Sequence, residues 1–119
     1  MRKIIEYYVD LSNLHLTELF DLSGVEVKGD FYCKINDLTN LKGSPHTVIG
    51  NFDCSENPLT DIKDIPKYIG RSFYIDKKLK DKFPKDYINS LSTIEGDVWY
   101  TVNSLIDFEE WEEAPPGDY

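Results

Sequence analysis

A repeat solenoid is the fold class that this 119-residue chain predicts, with about five coils of ~21–22 residues stacked along one axis. Each coil is expected to lay down one short parallel β-strand, with little helix and irregular return legs. The first observation behind this is self-similarity. GNFDCSENPLTDIKDIPKYIG (50–70) repeats GDFYCKINDLTNLKGSPHTVIG (29–50) at a step of 21, placing Phe31, Cys33, Asn36, Leu38 and Pro45 over Phe52, Cys54, Asn57, Leu59 and Pro66. The second is that the register extends outward over five windows anchored at Val9, Phe31, Phe52, Phe73 and Val98. Four residues before each anchor stands a β-branched aliphatic (Ile5, Val27, Val48, Ile69, Ile94). Two residues after stand Leu11, Cys33, Cys54, Ile75 and Tyr100, and ten after stand Leu19, Leu41, Ile62, Phe83 and Phe108. The third is composition: 40% hydrophobic and 29% charged residues belong to a folded chain, and the length suits a single domain spanning 1–119.

The strands follow from the anchors: 8–11, 30–33, 51–54, 72–75 and 97–100. Parallel neighbours lie about 4.8 Å apart, so five strands make a stack about 20 Å tall. Gly29, Gly50, Gly70 and Gly96 stand just before four of them, where the chain is expected to bend. Asn36, Asn57 and Asn103 recur five residues after their anchors. An asparagine at the inside of a turn can bond the backbone of neighbouring coils and satisfy groups that a bend leaves unpaired. Leu14 and Lys78 take that place in the first and fourth coils, where a looser turn is expected. The column at seven residues reads Leu16, Leu38, Leu59, Lys80 and Leu105, and Leu79 beside Lys80 implies a one-residue slip. The step from Phe73 to Val98 is 25 residues; the excess falls in KFPKDYINSLSTIEG, where Pro84 opens a helical turn with Tyr87, Ile88 and Leu91 facing inward. Open stacks need covered ends. Residues 1–7 are expected to pad one end, and an acidic cap and tail over 104–119 the other.

A net charge of −9 disfavours nucleic acid as a direct partner, because phosphate binding needs a cationic face. It favours a protein partner with a basic surface, or simply serves solubility. No apolar run reaches membrane-spanning length and the N-terminus lacks a signal core, so a cytoplasmic protein with no membrane partner is expected. Cys33 and Cys54 share one column. A disulfide or soft-metal site is one reading and a ladder of buried thiols the other; the second is favoured, since only His15 and His46 remain as further nitrogen ligands and neither has ligand spacing. No cofactor or metal is expected. Neither histidine is set beside a nucleophile and an orienting carboxylate, and no P-loop, dinucleotide fingerprint or zincin motif occurs, so catalysis is not expected.

Side chains alternate across a strand, so the residue following each anchor faces outward. That column reads Asp10, Tyr32, Asp53, Tyr74 and Trp99, flanked by Asp30 and Asp97 on one side and Asp76 on the other. Tyrosine and tryptophan give rigid contact area with a polar handle and dominate binding hot spots, so these residues are candidate partner contacts. The competing reading is that exposed tyrosines merely favour β structure. The C-terminal run Asp107, Glu109, Glu110, Glu112, Glu113 and Asp118 contains no basic residue; Glu109, Glu110, Glu112 and Glu113 with Trp111 form a second candidate surface, set against the reading of a solvated end.

The motif F-x-C-x-x-N-x-L-T-x-I-x-x-I-P-x-x-I at 52–69 resembles the leucine-rich repeat, especially the short Pro-containing type of bacterial effector proteins, and is similar to Phe/Cys-rich repeat arrays of bacteria and phages. The likeness spans about residues 5–108 and implies a generic binding surface. With the size and acidity, it implies a non-catalytic inhibitor or host-takeover (anti-defence) factor gripping one host protein, in the host cytoplasm if phage-encoded. The alternative is an acidic nucleic-acid mimic that blocks the DNA- or RNA-binding groove of a restriction, CRISPR or polymerase-type protein.

Overall fold

The computed structural model describes residues 3–102. Ten short strands run through them: β1 (Lys3–Ile5), β2 (Val9–Asp10), β3 (Val25–Val27), β4 (Phe31–Tyr32), β5 (Thr47–Val48), β6 (Phe52–Asp53), β7 (Tyr68–Ile69), β8 (Phe73–Asp76), β9 (Thr93–Ile94) and β10 (Val98–Thr101). The odd strands form one five-stranded sheet in the order β1-β3-β5-β7-β9, and the even strands a second in the order β10-β8-β6-β4-β2. All pairings are parallel. Each window thus supplies two strands rather than the single one expected. The even sheet contains the anchor strands. The odd sheet is built on the aliphatic column four residues upstream, whose members Ile5, Val27, Val48, Ile69 and Ile94 pair in register.

Stacking of equivalent positions is direct. Val9 pairs with Phe31, Phe31 with Phe52, Phe52 with Phe73 and Phe73 with Val98. The three phenylalanine rings lie nearly parallel, 5.5 and 5.9 Å between centroids, and all are fully buried. Identical aromatic side chains at one step along a parallel stack present the same shape to each neighbour, so an offset stack fills the space without voids. The upstream aliphatics, Leu38 and Leu59, and the column Leu19, Leu41, Ile62 and Phe83 join the rings in one continuous core. Leu79 packs against it while Lys80 is half-buried, as the one-residue slip requires.

Asn36 and Asn57 do what their placement predicts, while Asn103 lies outside the described residues. The Asn36 amide nitrogen donates to the carbonyls of Leu11 (2.8 Å) and Cys33 (3.1 Å), and its Oδ1 accepts from Leu14 and Leu16 N–H groups. Asn57 donates to Cys33 (3.0 Å) and Cys54 (3.1 Å) and accepts from the Leu38 N–H (3.1 Å). Each asparagine therefore ties its own turn to the one before. Without the asparagine, the first window has an exposed Leu14 flanked by left-handed Asn13 and His15. The fourth turn is not looser: it winds into a 3-10 turn, Lys77–Leu79, closed by the Lys80 N–H on the Lys77 carbonyl. The extra residues after it form α1 (Lys85–Leu91), with Pro84 preceding its first turn. Ile88 of α1 is buried and Leu91 half-buried, whereas Tyr87 is exposed and lies over the Phe83 ring at 6.2 Å.

The pre-strand glycines stand at bends, as expected, and they also serve close approach. None of Gly29, Gly50, Gly70 and Gly96 has a positive φ, yet a Cβ on any of them would come within 3 Å of backbone in the adjacent window. Here the chain passes from one sheet to the other, and neighbouring windows touch main chain to main chain, as in the Gly50 N–H bond to the Gly29 carbonyl (3.0 Å).

Candidate functional site

The outer face of the even sheet contains the predicted column as one file: Asp10 pairs with Tyr32, Tyr32 with Asp53, Asp53 with Tyr74 and Tyr74 with Trp99. Tyr32, Tyr74 and Trp99 are half-buried and Asp10 is exposed. Asp53 departs from the expectation of an outward, solvated carboxylate, being only 2% exposed. Its Oδ1 accepts from the Ser55 N–H (3.0 Å) and hydroxyl (2.7 Å). Asp10 repeats the backbone half of this device by accepting from the Ser12 N–H (2.9 Å); the Ser12 hydroxyl and N–H beside it hold its carboxyl below the usual carboxylate range, helped by the charge of Lys34.

The flanking carboxylates are also engaged within the fold. Asp30 Oδ1 accepts from the Asn51 N–H (2.7 Å), Asn51 Oδ1 from the Ser72 N–H (2.9 Å), and Ser72 Oγ from the Asp97 N–H (3.1 Å). This is a second side-chain ladder, linking four windows at the same corner where the glycines pack. Asp30 Oδ2 also accepts from the Tyr32 hydroxyl (2.9 Å). Asp76 is buried, and its Oδ1 accepts from the Glu56 N–H of the preceding window (2.6 Å). Burial raises its carboxyl above the ordinary value, with the backbone bond from Glu56 as the main opposing effect. Asp97 alone of these three has an exposed side chain.

A groove of about 460 Å³ opens on this face, lined by Asp10, Ser12, Tyr32, Lys34, Asn51, Asp53 and Tyr74. Tyr32 has its ionisation pushed up to about 12, by burial first, then by the bond to Asp30 and the charges of Asp30, Asp53 and Asp10. The ring thus sits in a field that disfavours further negative charge. A larger depression of about 660 Å³, which sequence reasoning did not anticipate, lies where the chain enters the odd sheet. Three equivalent turns line it with Glu18, Asp21, Lys42, His46, Asp64 and Lys67 among others, a mixture of both signs.

Cys33 and Cys54 are free, buried thiols, and burial pushes both well above the ordinary thiol value. A buried thiol so raised is neither a ready nucleophile nor a ready ligand. His15 Nδ1 lies 3.9 Å from Asp37 Oδ2 on exposed turns, and His46 Nδ1 lies 2.9 Å from the Thr47 hydroxyl. Among the described residues no group of three or more His, Cys, Asp or Glu is placed to hold a metal ion, and no helix is long and apolar enough to cross a membrane. Glu109, Glu110, Trp111, Glu112 and Glu113 lie outside the described residues. No family model, curated protein or solved structure matches the chain.

Proposed function

We propose that this chain is a leucine-rich-repeat-like solenoid acting as a non-catalytic protein-binding module, with the outer face of the even sheet as its contact surface. The observation that carries this reading is the file of Tyr32, Tyr74 and Trp99, held in register on one face and half-exposed there. Large rings held on a hydrogen-bonded sheet lose little further freedom on binding, so contact area on them converts well into affinity. The neighbouring Asp30, Asp53 and Asp76 are bonded inside the fold, which leaves the rings rather than the carboxylates as the principal contacts. The partner is a single cytoplasmic protein with a basic surface, and the role that of a small inhibitor or host-takeover factor.

The test is affinity capture from cytosol with the native chain and with Tyr74→Ala/Trp99→Ala, each checked for folding by circular dichroism. Loss of one captured protein with the double variant, little affected by salt, supports the reading. Capture that survives the double variant but is lost with salt, or with a chain ending at residue 102, overturns it in favour of an acidic nucleic-acid mimic acting through the C-terminal carboxylates.

A further inference from the structure

The two ends of the stack are finished differently. At the far end Val98 and Tyr100 of β10 are buried. At the near end Ile5, Val9, Leu11 and Leu16 are only half-buried, although the next residues in the same columns, Val27, Phe31, Cys33 and Leu38, are fully buried. β1 and β2 are edge strands, and among the described residues no strand pairs with their outer sides. The backbone there is open too. The Val9 and Leu11 N–H groups bond the Asp30 and Tyr32 carbonyls, and the Ile5 carbonyl accepts from the Lys28 N–H. In a parallel ladder the residue between two such partners faces the other way, so the main-chain polar groups of Ile4 and Asp10 point off the end of the stack. Of the eight large hydrophobic residues exposed among the described residues, five (Ile4, Tyr7, Tyr8, Leu14 and Phe20) belong to this first window.

We propose that the open first window is covered by the first window of a second copy of this chain, the two meeting head to head across a two-fold axis with their edge strands paired. The area suits a dimer. A window of about 21 residues supplies the roughly 20–30 residues a side, about 800 Å² per copy, of a standard stable interface. None of Ile5, Val9, Leu11, Leu14 and Leu16 is charged, so two copies can appose them without desolvating an ion. The burial of Val98 and Tyr100 decides the symmetry. A head-to-tail stack needs an equally open far end, whereas a head-to-head contact uses the open end of both chains and closes after two. The inference uses neither Tyr74 nor Trp99 and stands apart from the reading of the even sheet's outer face.

The experiment is sedimentation velocity on the full chain from about 1 μM to about 1 mM, the span over which a modest dimer dissociates and forms. The mass should rise to that of two chains and no further. Ile4→Lys/Tyr8→Lys puts charges at both edge strands and should weaken association at least about tenfold, with circular dichroism checking the fold. Leu14→Lys, on an exposed turn outside both strands, gives the same reading if the double variant does not fold. Tyr87→Lys, on α1 in the fourth window, should leave the mass unchanged. Raising salt to about 0.5 M should preserve or tighten the dimer, since it screens the repulsion between two chains of net charge −9 and not the apolar contact. Amide hydrogen exchange at Ile4 and Asp10 should slow as the chain is concentrated. A chain monomeric at about 1 mM, growth beyond two chains, association indifferent to the first-window variants, or loss of the dimer in salt overturns the proposal. Capture of another protein that is lost with Ile4→Lys/Tyr8→Lys, while the purified chain is monomeric, also overturns it and gives the open edge to that protein.

Discussion

Replacing Asn57 by alanine should be among the most damaging single changes available to this fold. The side chain is 3% exposed and makes three well-formed bonds to backbone: two donated to the Cys33 and Cys54 carbonyls and one accepted from the Leu38 N–H. A third carbonyl, of Ser55 at 3.3 Å, shares the same amide hydrogens. Alanine leaves those groups inside the protein with no replacement. Each such group costs about 1–3 kcal/mol, and partial relaxation brings the sum to about 3–5 kcal/mol. Against a total stability of about 5–15 kcal/mol for a domain this size, that is a large fraction. Asn36→Ala removes a similar set, but its partners Leu14 and Leu16 lie in the first window, exposed and half-buried, where water can substitute; about 1–3 kcal/mol is expected. Asn57→Asp is the informative control. It keeps size and the acceptor for Leu38 but turns a donor into an acceptor facing carbonyl oxygens, so it should cost at least as much as alanine. Urea unfolding followed by far-ultraviolet circular dichroism reads all three. A loss under about 1 kcal/mol for Asn57→Ala, or a milder loss for Asn57→Asp, would show that the asparagine column fills space rather than tying turns together.

Gly50→Ala should cost about 1–3 kcal/mol by overpacking, because its Cβ would meet the Gly29 and Asp30 backbone, while Gly24→Ala, with nothing within 4 Å, should be neutral or stabilising; the difference in melting temperature checks both. Ile35 has φ 57° at 40% exposure, a β-branched residue in the left-handed region, so Ile35→Asn, matching Asn13 at the equivalent position, should stabilise by about 1 kcal/mol in the same assay. Asp76 and Asp10 should tilt stability with pH in opposite senses. The raised Asp76 contributes stability present below its unfolded value near 3.8 and lost as pH rises through its higher folded value; the lowered Asp10 contributes stability present above 3.8 and lost as pH falls through its folded value. Unfolding free energy measured across the acid range should therefore lose its fall on raising pH in Asp76→Asn, which keeps the acceptor for Glu56, and lose its rise in Asp10→Asn.

The even sheet was legible because its strands carry a buried residue on each side of an outward one, with Phe31, Phe52 and Phe73 as unmistakable anchors. The odd sheet was legible only as a column. β5, β7 and β9 are two residues long, and their outer positions Thr47, Tyr68 and Thr93 show no alternation that would separate a strand from a return leg. Ile5, Val27, Val48, Ile69 and Ile94 were the available signal, since a β-branched residue at one step through every window marks a second paired strand as readily as a packed turn. The glycines were legible as bends but not as points of close approach. A sequence shows that a side chain is missing, but whether φ or a neighbouring main chain requires it depends on how closely the windows approach.

The carboxylates pose the harder problem, and it bears on how the proposed contact face must be tested. In sequence, Asp30, Asp53 and Asp76 look like Asp97; in space the first three accept hydrogen bonds from Asn51, Ser55 and Glu56 backbone N–H groups, while the Asp97 side chain stays exposed. A parallel stack of short windows has few regular donors and acceptors at its corners, so side chains on the outer face are drawn into satisfying them. Neutralising Asp30 or Asp76 would therefore weaken the fold and any interface together, and a loss of binding in those variants would say nothing about contact. Tyr74, Trp99 and Asp97 are better placed to separate the two effects: Tyr74 and Trp99 are only half-buried, and the Asp97 side chain is exposed. On this face, affinity has to be assigned from the aromatic positions outward, with the acids interpreted only after the stability of each variant is known.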